Sequence, residues 1–131
     1  MRLFLASVFL AAASLPAYAV THVVNVGPGM TFTPASVTIH PGDKISFRNK
    51  GGLHNVTAND HSFRCAHGCD GDGHGGNGAP TTELFIVSVQ FDNPGSTIDY
   101  FCEEHGTPTT GMRGRIIVDT SPVELQEFSV D

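Results

Sequence analysis

Basic side chains are scarce in this sequence of 131 residues, which has 7 Lys and Arg against 13 Asp and Glu. Because the phosphate backbone of nucleic acid repels an acidic surface, the net charge of −6 argues against a nucleic-acid partner. The sequence also lacks a sustained helical period of apolar residues, and it has no long apolar run beyond residues 3–15. We therefore expect neither a helical fold nor a membrane span in the mature chain.

The N-terminus has the organisation of a secretory signal peptide. Arg2 precedes the apolar run at residues 3–15, and Ala17-Tyr18-Ala19 forms a small-x-small cleavage site. The apolar run is shorter than the roughly 20 residues that a membrane-spanning helix needs, although an uncleaved membrane anchor is the alternative. We expect residues 1–19 to be removed on export and the mature protein to work in the periplasm, which is an oxidising compartment.

Short alternating runs separated by turn residues predict an all-β fold. The chain has 15 Gly and 8 Pro, and turn sequences such as His40-Pro41-Gly42-Asp43 divide it at short intervals. Runs rich in β-branched or aromatic residues lie at 21–26, 36–40, 44–48, 84–91, 97–102 and 113–118. We expect one domain over residues 20–119, folded as a Greek-key antiparallel β-sandwich of about seven or eight strands. A polar tail follows at residues 120–131.

A glycine-rich segment at residues 61–80 interrupts this pattern and is expected to be a long loop inserted into the domain. It contains two of the three cysteines, Cys65 and Cys69. An odd number of cysteines leaves one thiol over in an exported protein, so we expect a Cys65–Cys69 disulfide and a metal on Cys102. The alternative is a second metal site on Cys65 and Cys69, with nearby histidines as further ligands: His61, His67 and His74.

Four side chains form a donor set that suits copper. Cys102 supplies a thiolate and His105 an imidazole, Met112 supplies a thioether, and His54 supplies a second imidazole from earlier in the chain. A thiolate with two imidazoles and a weak thioether contact is the ligand set of blue-copper electron-transfer sites. Sulfur ligands favour Cu(I) and imidazoles suit Cu(II), so such a site accepts both oxidation states. The sequence therefore predicts one type 1 copper on these four residues.

The ligand sequences resemble those of a known family. Cys102-x-x-His105, followed by Gly-Met-x-Gly-x-Ile-x-Val at residues 111–118, resembles the ligand loop of plastocyanin, pseudoazurin and related cupredoxins. Residues 30–56, from MTFTPASV to GLHNV, are similar to the first half of that fold. The resemblance implies that His54, Cys102, His105 and Met112 bind copper. It also implies that Asn55 hydrogen-bonds across to the ligand loop and fixes Cys102. The loop between His105 and Met112 is longer here than in plastocyanins.

These features predict an electron carrier and not an enzyme. The chain has a single domain and no His-x-His motif, which the copper oxidases built on this fold need for additional copper ions. We expect a monomer that docks transiently with redox partner proteins at an apolar patch formed by Leu53 and Pro108 near His105. The alternative is a periplasmic copper-storage or copper-delivery protein, in which the His-rich residues 61–80 would form a second metal site.

Overall fold

A computed structural model describes residues 18–120. The signal peptide predicted at residues 1–19 therefore lies outside the described residues, except for its last two positions, and so does the tail after Thr120. The described chain contains no helix that could cross a membrane. It forms ten strands, which are β1 (Thr21–Val26), β2 (Phe32–Thr33), β3 (Ser36–Ile39), β4 (Lys44–Asn49), β5 (Val56–Ala58), β6 (Arg64–Ala66), β7 (Gly68–Cys69), β8 (Ile86–Gln90), β9 (Thr97–Gly106) and β10 (Gly111–Val118).

The strands form two sheets, one in the order β2-β1-β4-β8 and the other in the order β3-β10-β9-β5-β6-β7. The predicted all-β sandwich is confirmed. The sheets are mixed, however, because β1 runs parallel to β4 and β3 runs parallel to β10. The count exceeds the expected seven or eight because β2, β5, β6 and β7 have two or three residues each, too few to show an alternating pattern in the sequence.

The core is built from the alternating residues of the longer strands. Ile45 and Phe47 point inward from β4 and are fully buried, whereas Ile86 on β8 points outward and is 71% exposed. Tyr100 packs edge-to-face on Phe47, with ring centroids 5.3 Å apart. Each such buried side chain contributes about 1.5–3 kcal/mol relative to an exposed one. The packed sandwich thus holds the loops at its ends in fixed positions.

The glycine-rich segment at residues 61–80 is partly strand and not a free loop. Its strands β6 and β7 form a tight antiparallel hairpin, and Val56 of β5 pairs with Cys65 of β6. The Cys65–Cys69 disulfide joins the two strands of this hairpin. The predicted disulfide is therefore present, and the segment extends the larger sheet.

Candidate metal centre

Three donor atoms from two parts of the chain meet at one end of the larger sheet. Cys102 Sγ lies 3.7 Å from His54 Nδ1 and 3.8 Å from His105 Nδ1, and the two Nδ1 atoms are 3.2 Å apart. Two donors bound to one ion at about 2.0–2.3 Å lie roughly 3.2–3.8 Å apart when the angle between the bonds is about 105–120°. The triangle therefore fits a single metal ion, and its donor set of one thiolate and two imidazoles suits copper.

The position of His54 is fixed by backbone contacts and by two glycines. Its N–H donates to the carbonyl oxygen of Thr81 at 3.1 Å, and the Thr81 N–H donates back at 3.0 Å. Its ring is buried against Gly27 and Gly52, where an added Cβ would lie 2.8 Å and 2.6 Å from Nε2. Both glycines have a positive φ, which other residues rarely adopt. These two positions therefore require glycine for the ring to lie where it does.

Asn49 connects the two loops that surround His54, a role that the sequence reasoning missed. Its Nδ2 donates to the carbonyl oxygens of Gly52 at 3.2 Å and Glu83 at 2.8 Å, and its Oδ1 accepts the Gly51 N–H at 3.0 Å. Asn49 is itself buried. The Asn-Lys-Gly-Gly sequence at residues 49–52 is typical of a turn, and its position at the end of β4 is the available clue to this further role.

The environment of His54 favours the neutral imidazole. Burial lowers its pKa below the ordinary value, and the nearby His105 ring lowers it further. The nearby Gly51 backbone opposes these effects but does not outweigh them. Because a metal binds the unprotonated imidazole, the lowered pKa keeps His54 in the form that can be a ligand.

Cys102, His105 and Met112 lie together at an irregularity between β9 and β10. Gly106 pairs with Gly111, and the next pair is Phe101 with Arg113. Between these pairs β9 contains four residues, from Cys102 to His105, whereas β10 contains Met112 alone. Both β9 donors and Met112, which is 2% exposed, therefore belong to one bulge in the pairing of β9 with β10.

The longer loop between His105 and Met112 forms a self-contained turn. Beyond the Gly106–Gly111 pair, the Thr107 N–H donates to the Thr110 carbonyl oxygen at 2.8 Å, and the Thr110 N–H donates to Thr107 Oγ1 at 3.0 Å. Asn59 Nδ2 also donates to the Pro108 carbonyl oxygen at 3.0 Å. The extra length is therefore taken up at the tip of the turn, and Met112 remains buried.

Asn55 makes the hydrogen bond to the ligand loop that the family resemblance implies. Its side chain is fully buried, and its Oδ1 accepts the N–H of Glu103, the neighbour of Cys102, at 2.9 Å. Its Nδ2 donates to the Gly78 carbonyl oxygen at 2.9 Å and to Thr57 Oγ1 at 3.1 Å, and it also contacts the Glu103 carboxylate. Asn55 thus ties the segment after His54 to the segment after Cys102.

The histidines of residues 61–80 do not join a second cluster. Within residues 18–120, the structure brings together one group of three His, Cys, Asp or Glu side chains that could hold a metal ion. This group consists of His54, Cys102 and His105. His67 instead lies 3.0 Å from a Glu83 oxygen. The alternative of a metal on Cys65 and Cys69 is wrong, because the disulfide occupies both sulfur atoms.

Comparisons with known proteins identify a family and several similar structures. The sequence profile described as copper binding proteins, plastocyanin/azurin family, matches residues 18–119. The structure is similar to the pseudoazurin of Methylobacterium extorquens AM1, with 28% identity over 85% of each chain and a TM-score of 0.50. It is also similar to the amicyanin of Paracoccus versutus, with 30% identity over 83% of this chain and 89% of that chain and a TM-score of 0.49. An amicyanin variant in its reduced Cu(I) form is 24% identical over 83% of this chain and 90% of that chain, with a TM-score of 0.51.

Proposed function

The chain belongs to the plastocyanin/azurin family of copper-binding proteins, and on that premise we propose that it is an electron carrier whose single type 1 copper alternates between Cu(II) and Cu(I). The observation that carries this proposal is the triangle of His54 Nδ1, Cys102 Sγ and His105 Nδ1, whose edges are 3.7, 3.8 and 3.2 Å. A thiolate and two imidazoles in this arrangement are the principal donors of blue-copper sites.

Each ligand has a distinct part in this proposal. His54, Cys102 and His105 hold the metal, and the buried Met112 provides the weak fourth contact. Copper, when bound, supplies the one-electron couple. Asn55 holds the Cys102 segment in place through the Glu103 N–H. Because these residues are anchored in paired strands and buried contacts, the donors move little when the oxidation state changes, which favours fast electron transfer.

The proposed route for the electron runs through His105. This side chain is partly exposed, whereas His54 is 1% exposed. Leu53, which precedes His54, and Pro108, in the turn after His105, are exposed apolar residues suited to transient docking with redox partner proteins. The net charge of −6 favours a partner with a basic surface. We propose a monomer, because transient docking needs this face to be free.

We place the mature protein in the periplasm, with its copper domain at residues 20–119 after removal of residues 1–19. The Cys65–Cys69 disulfide supports this location, because such bonds persist in oxidising compartments. A carrier of this kind exchanges electrons with other proteins and converts no substrate, so we propose that the protein is not an enzyme.

The visible spectrum of the Cu(II)-loaded protein, recorded beside that of Cys102→Ser, tests the proposal. We expect an intense thiolate-to-copper charge-transfer band in the wild-type protein, one copper per chain, and reversible bleaching on reduction. The variant should lack the band, because serine supplies no thiolate. A pale wild-type protein, or one that takes up several copper ions without an intense band, would favour copper storage or delivery instead.

A further inference from the structure

A closed ring of hydrogen bonds includes Glu103, the residue that follows Cys102. Arg64 Nε donates to both carboxylate oxygens of Glu103, at 3.1 and 2.9 Å, and Arg64 Nη1 donates to Asp70 Oδ2 at 2.7 Å. Asp70 Oδ1 accepts the Gly78 N–H at 2.7 Å, and the Gly78 carbonyl oxygen accepts Asn55 Nδ2 at 2.9 Å. Asn55 Oδ1 accepts the Glu103 N–H, which closes the ring.

The disulfide hairpin holds the two outer members of this ring. Arg64 and Asp70 flank Cys65 and Cys69, which pair directly across the hairpin and are joined by the disulfide. The Asp70 N–H also donates to the Arg64 carbonyl oxygen at 2.9 Å. The guanidinium is therefore held between two carboxylates whose backbone positions are fixed. The planar fork of Arg is suited to such a double contact, whereas the point charge of Lys is not.

The ring joins the two chain segments that carry the proposed ligands. Asn55 directly follows His54, and Glu103 directly follows Cys102. We propose that Arg64 is a positioning residue of the copper centre, and that the Cys65–Cys69 hairpin acts as a brace that fixes Cys102 relative to His54. This proposal rests on the copper-carrier function proposed above. It assigns a structural role to the glycine-rich segment at residues 61–80 that does not require a second metal.

Arg64→Gln tests the brace, and Arg115→Gln is the matched control. Arg115 forms an ion pair of the same kind, with Nε 2.7 Å from Asp99 Oδ1, but the pair lies outside the ring. In the copper-free protein we expect the Glu103 amide hydrogen to exchange faster in Arg64→Gln and at the wild-type rate in Arg115→Gln. We expect Arg64→Gln alone to lower the Cu(II) affinity by several-fold, less than the roughly 10- to 100-fold that follows loss of a group bonded directly to a metal ligand, because Arg64 acts through Glu103.

Two further variants separate the possible outcomes. Arg64→Lys should recover only part of the lost affinity, because it keeps the charge and loses the fork. Cys65→Ser combined with Cys69→Ser should speed exchange at Glu103 in the same direction as Arg64→Gln. If the wild-type protein shows the thiolate band while all of these variants match Arg115→Gln, the brace is refuted and the carrier function stands. If the wild-type protein lacks the band, the proposed function fails, and the Glu103 exchange rate still decides whether the brace exists.

A separate observation concerns the carboxylate of Asp43, which is 2% exposed at the other end of β4. Its Oδ1 accepts the Val20 N–H at 2.9 Å, and its Oδ2 accepts His22 Nε2 at 2.9 Å and the His40 N–H at 3.0 Å. The Val20 carbonyl oxygen accepts the Lys44 N–H at 3.0 Å, which fixes the backbone at this position. Val20 is also the residue directly after the predicted cleavage site.

We infer that removal of residues 1–19 turns the Val20 N–H into an α-ammonium group that forms an ion pair with Asp43. A charged donor strengthens a hydrogen bond to a carboxylate, so processing would stabilise the mature fold. This inference rests on the predicted cleavage after Ala19 and is independent of copper. The other ionisable groups near the pair are the His22 ring, which contacts Asp43 Oδ2, Lys44 on the adjoining strand, and His40, whose Nδ1 lies 2.7 Å from an Asp119 oxygen.

The test compares a chain that starts at Val20 with one that keeps Ala19, each released from a fusion without extra residues. At pH 7 we expect the chain starting at Val20 to melt higher by about 4–8 °C. A carboxylate partner such as Asp43 raises the pKa of the α-amine in the folded state. The gain in melting temperature is therefore complete below the ordinary α-amine pKa of about 7.7–8.0, and it is lost as the pH rises through the pKa of the folded state.

Asp43→Asn, introduced into both chains, should abolish the difference in melting temperature. Equal melting temperatures of the two wild-type chains at pH 7 would overturn the inference. If Asp43→Asn does not fold, the pH series decides, because an advantage that stays constant up to pH 10 cannot come from an ammonium group and also overturns it.

Discussion

Replacing Gly52 by Ala would place a methyl group against the ring of His54. The added Cβ would lie 2.6 Å from Nε2 and 3.2 Å from Cδ2. Ordinary contacts begin at about 3.4 Å, so the ring must move by roughly 0.8 Å. The positive φ of 99° at Gly52 adds a backbone cost of roughly 1–2 kcal/mol for any residue with a Cβ. We expect lower stability together with a loss of Cu(II) affinity of about 10- to 100-fold.

Gly42→Ala is the matched control for this prediction. Gly42 has a φ of 91°, close to that of Gly52, but no heavy atom lies within 4 Å of its added Cβ. Both variants should lose the backbone contribution to stability in urea unfolding of the copper-free protein, and Gly52→Ala should lose more because its Cβ also displaces the His54 ring. Only Gly52→Ala should weaken copper in a chelator competition and alter the visible band. Equal copper affinities for the two variants would refute the argument that Gly52 makes room for the ligand ring.

Three further predictions concern the same end of the sandwich. Met112→Leu keeps the buried volume but removes the thioether, so the blue band should persist while the reduction potential rises; an unchanged potential in a redox titration would contradict the proposed contact. Asn49→Ala leaves buried backbone groups without partners and should lower the free energy of unfolding by roughly 1–3 kcal/mol, whereas Gln90→Ala, which removes only an exposed contact, should change it little in the same urea titration. The lowered pKa of His54 means that the unfolded chain binds more protons in acid, so the copper-free protein should lose stability as the pH falls below about 6.5; chemical unfolding at several pH values measures this, and a flat profile would count against it.

The longer strands were predictable because their evidence is local. The run at residues 84–91 alternates, and the structure buries Phe85, Val87 and Phe91 on one side while Ile86 faces outward. Strand β8 itself is shorter than the run, from Ile86 to Gln90. An alternating pattern reports which face of a strand is buried. The pattern therefore predicts that a strand is present, but it does not fix the residues at which the strand begins and ends.

The sheet order and the short strands were not predictable in this way. Thr57 of β5 pairs with Phe101 of β9, and Asn25 of β1 pairs with Thr33 of β2. A strand of two or three residues owes its existence to such a partner, because its own sequence is too short to show a period. The parallel pairing of β1 with β4 is likewise set by the packing of the whole sandwich. Nothing in the sequence of β1 or β4 indicates that the two strands pair in parallel and not antiparallel.

The proposed donor residues have local evidence in the sequence, whereas Arg64, which positions them, has none. Cys102, His105 and Met112 were predicted as ligands from residue types at short spacing, and the chemistry of copper limits the types that can serve. Arg64 lies 39 residues from Glu103, and neither position carries a local sign that the two meet. Arg64 is therefore recognised as a positioning residue only in the folded chain, whereas Asn55 was expected from the family resemblance.

Strand pairing explains how two distant segments come to share one metal. His54 lies two residues before β5, and Cys102 lies on β9, the strand that β5 pairs with. The pairing of Thr57 with Phe101 therefore brings both segments to the same end of the sheet, and the contact between Asn55 and Glu103 continues the connection beyond the last strand pair. Backbone pairing, burial and hydrogen bonding thus bring the donors together through the protein's own contacts. Donors assembled in this way need little rearrangement to hold a metal ion, which is the property that the proposed electron carrier requires.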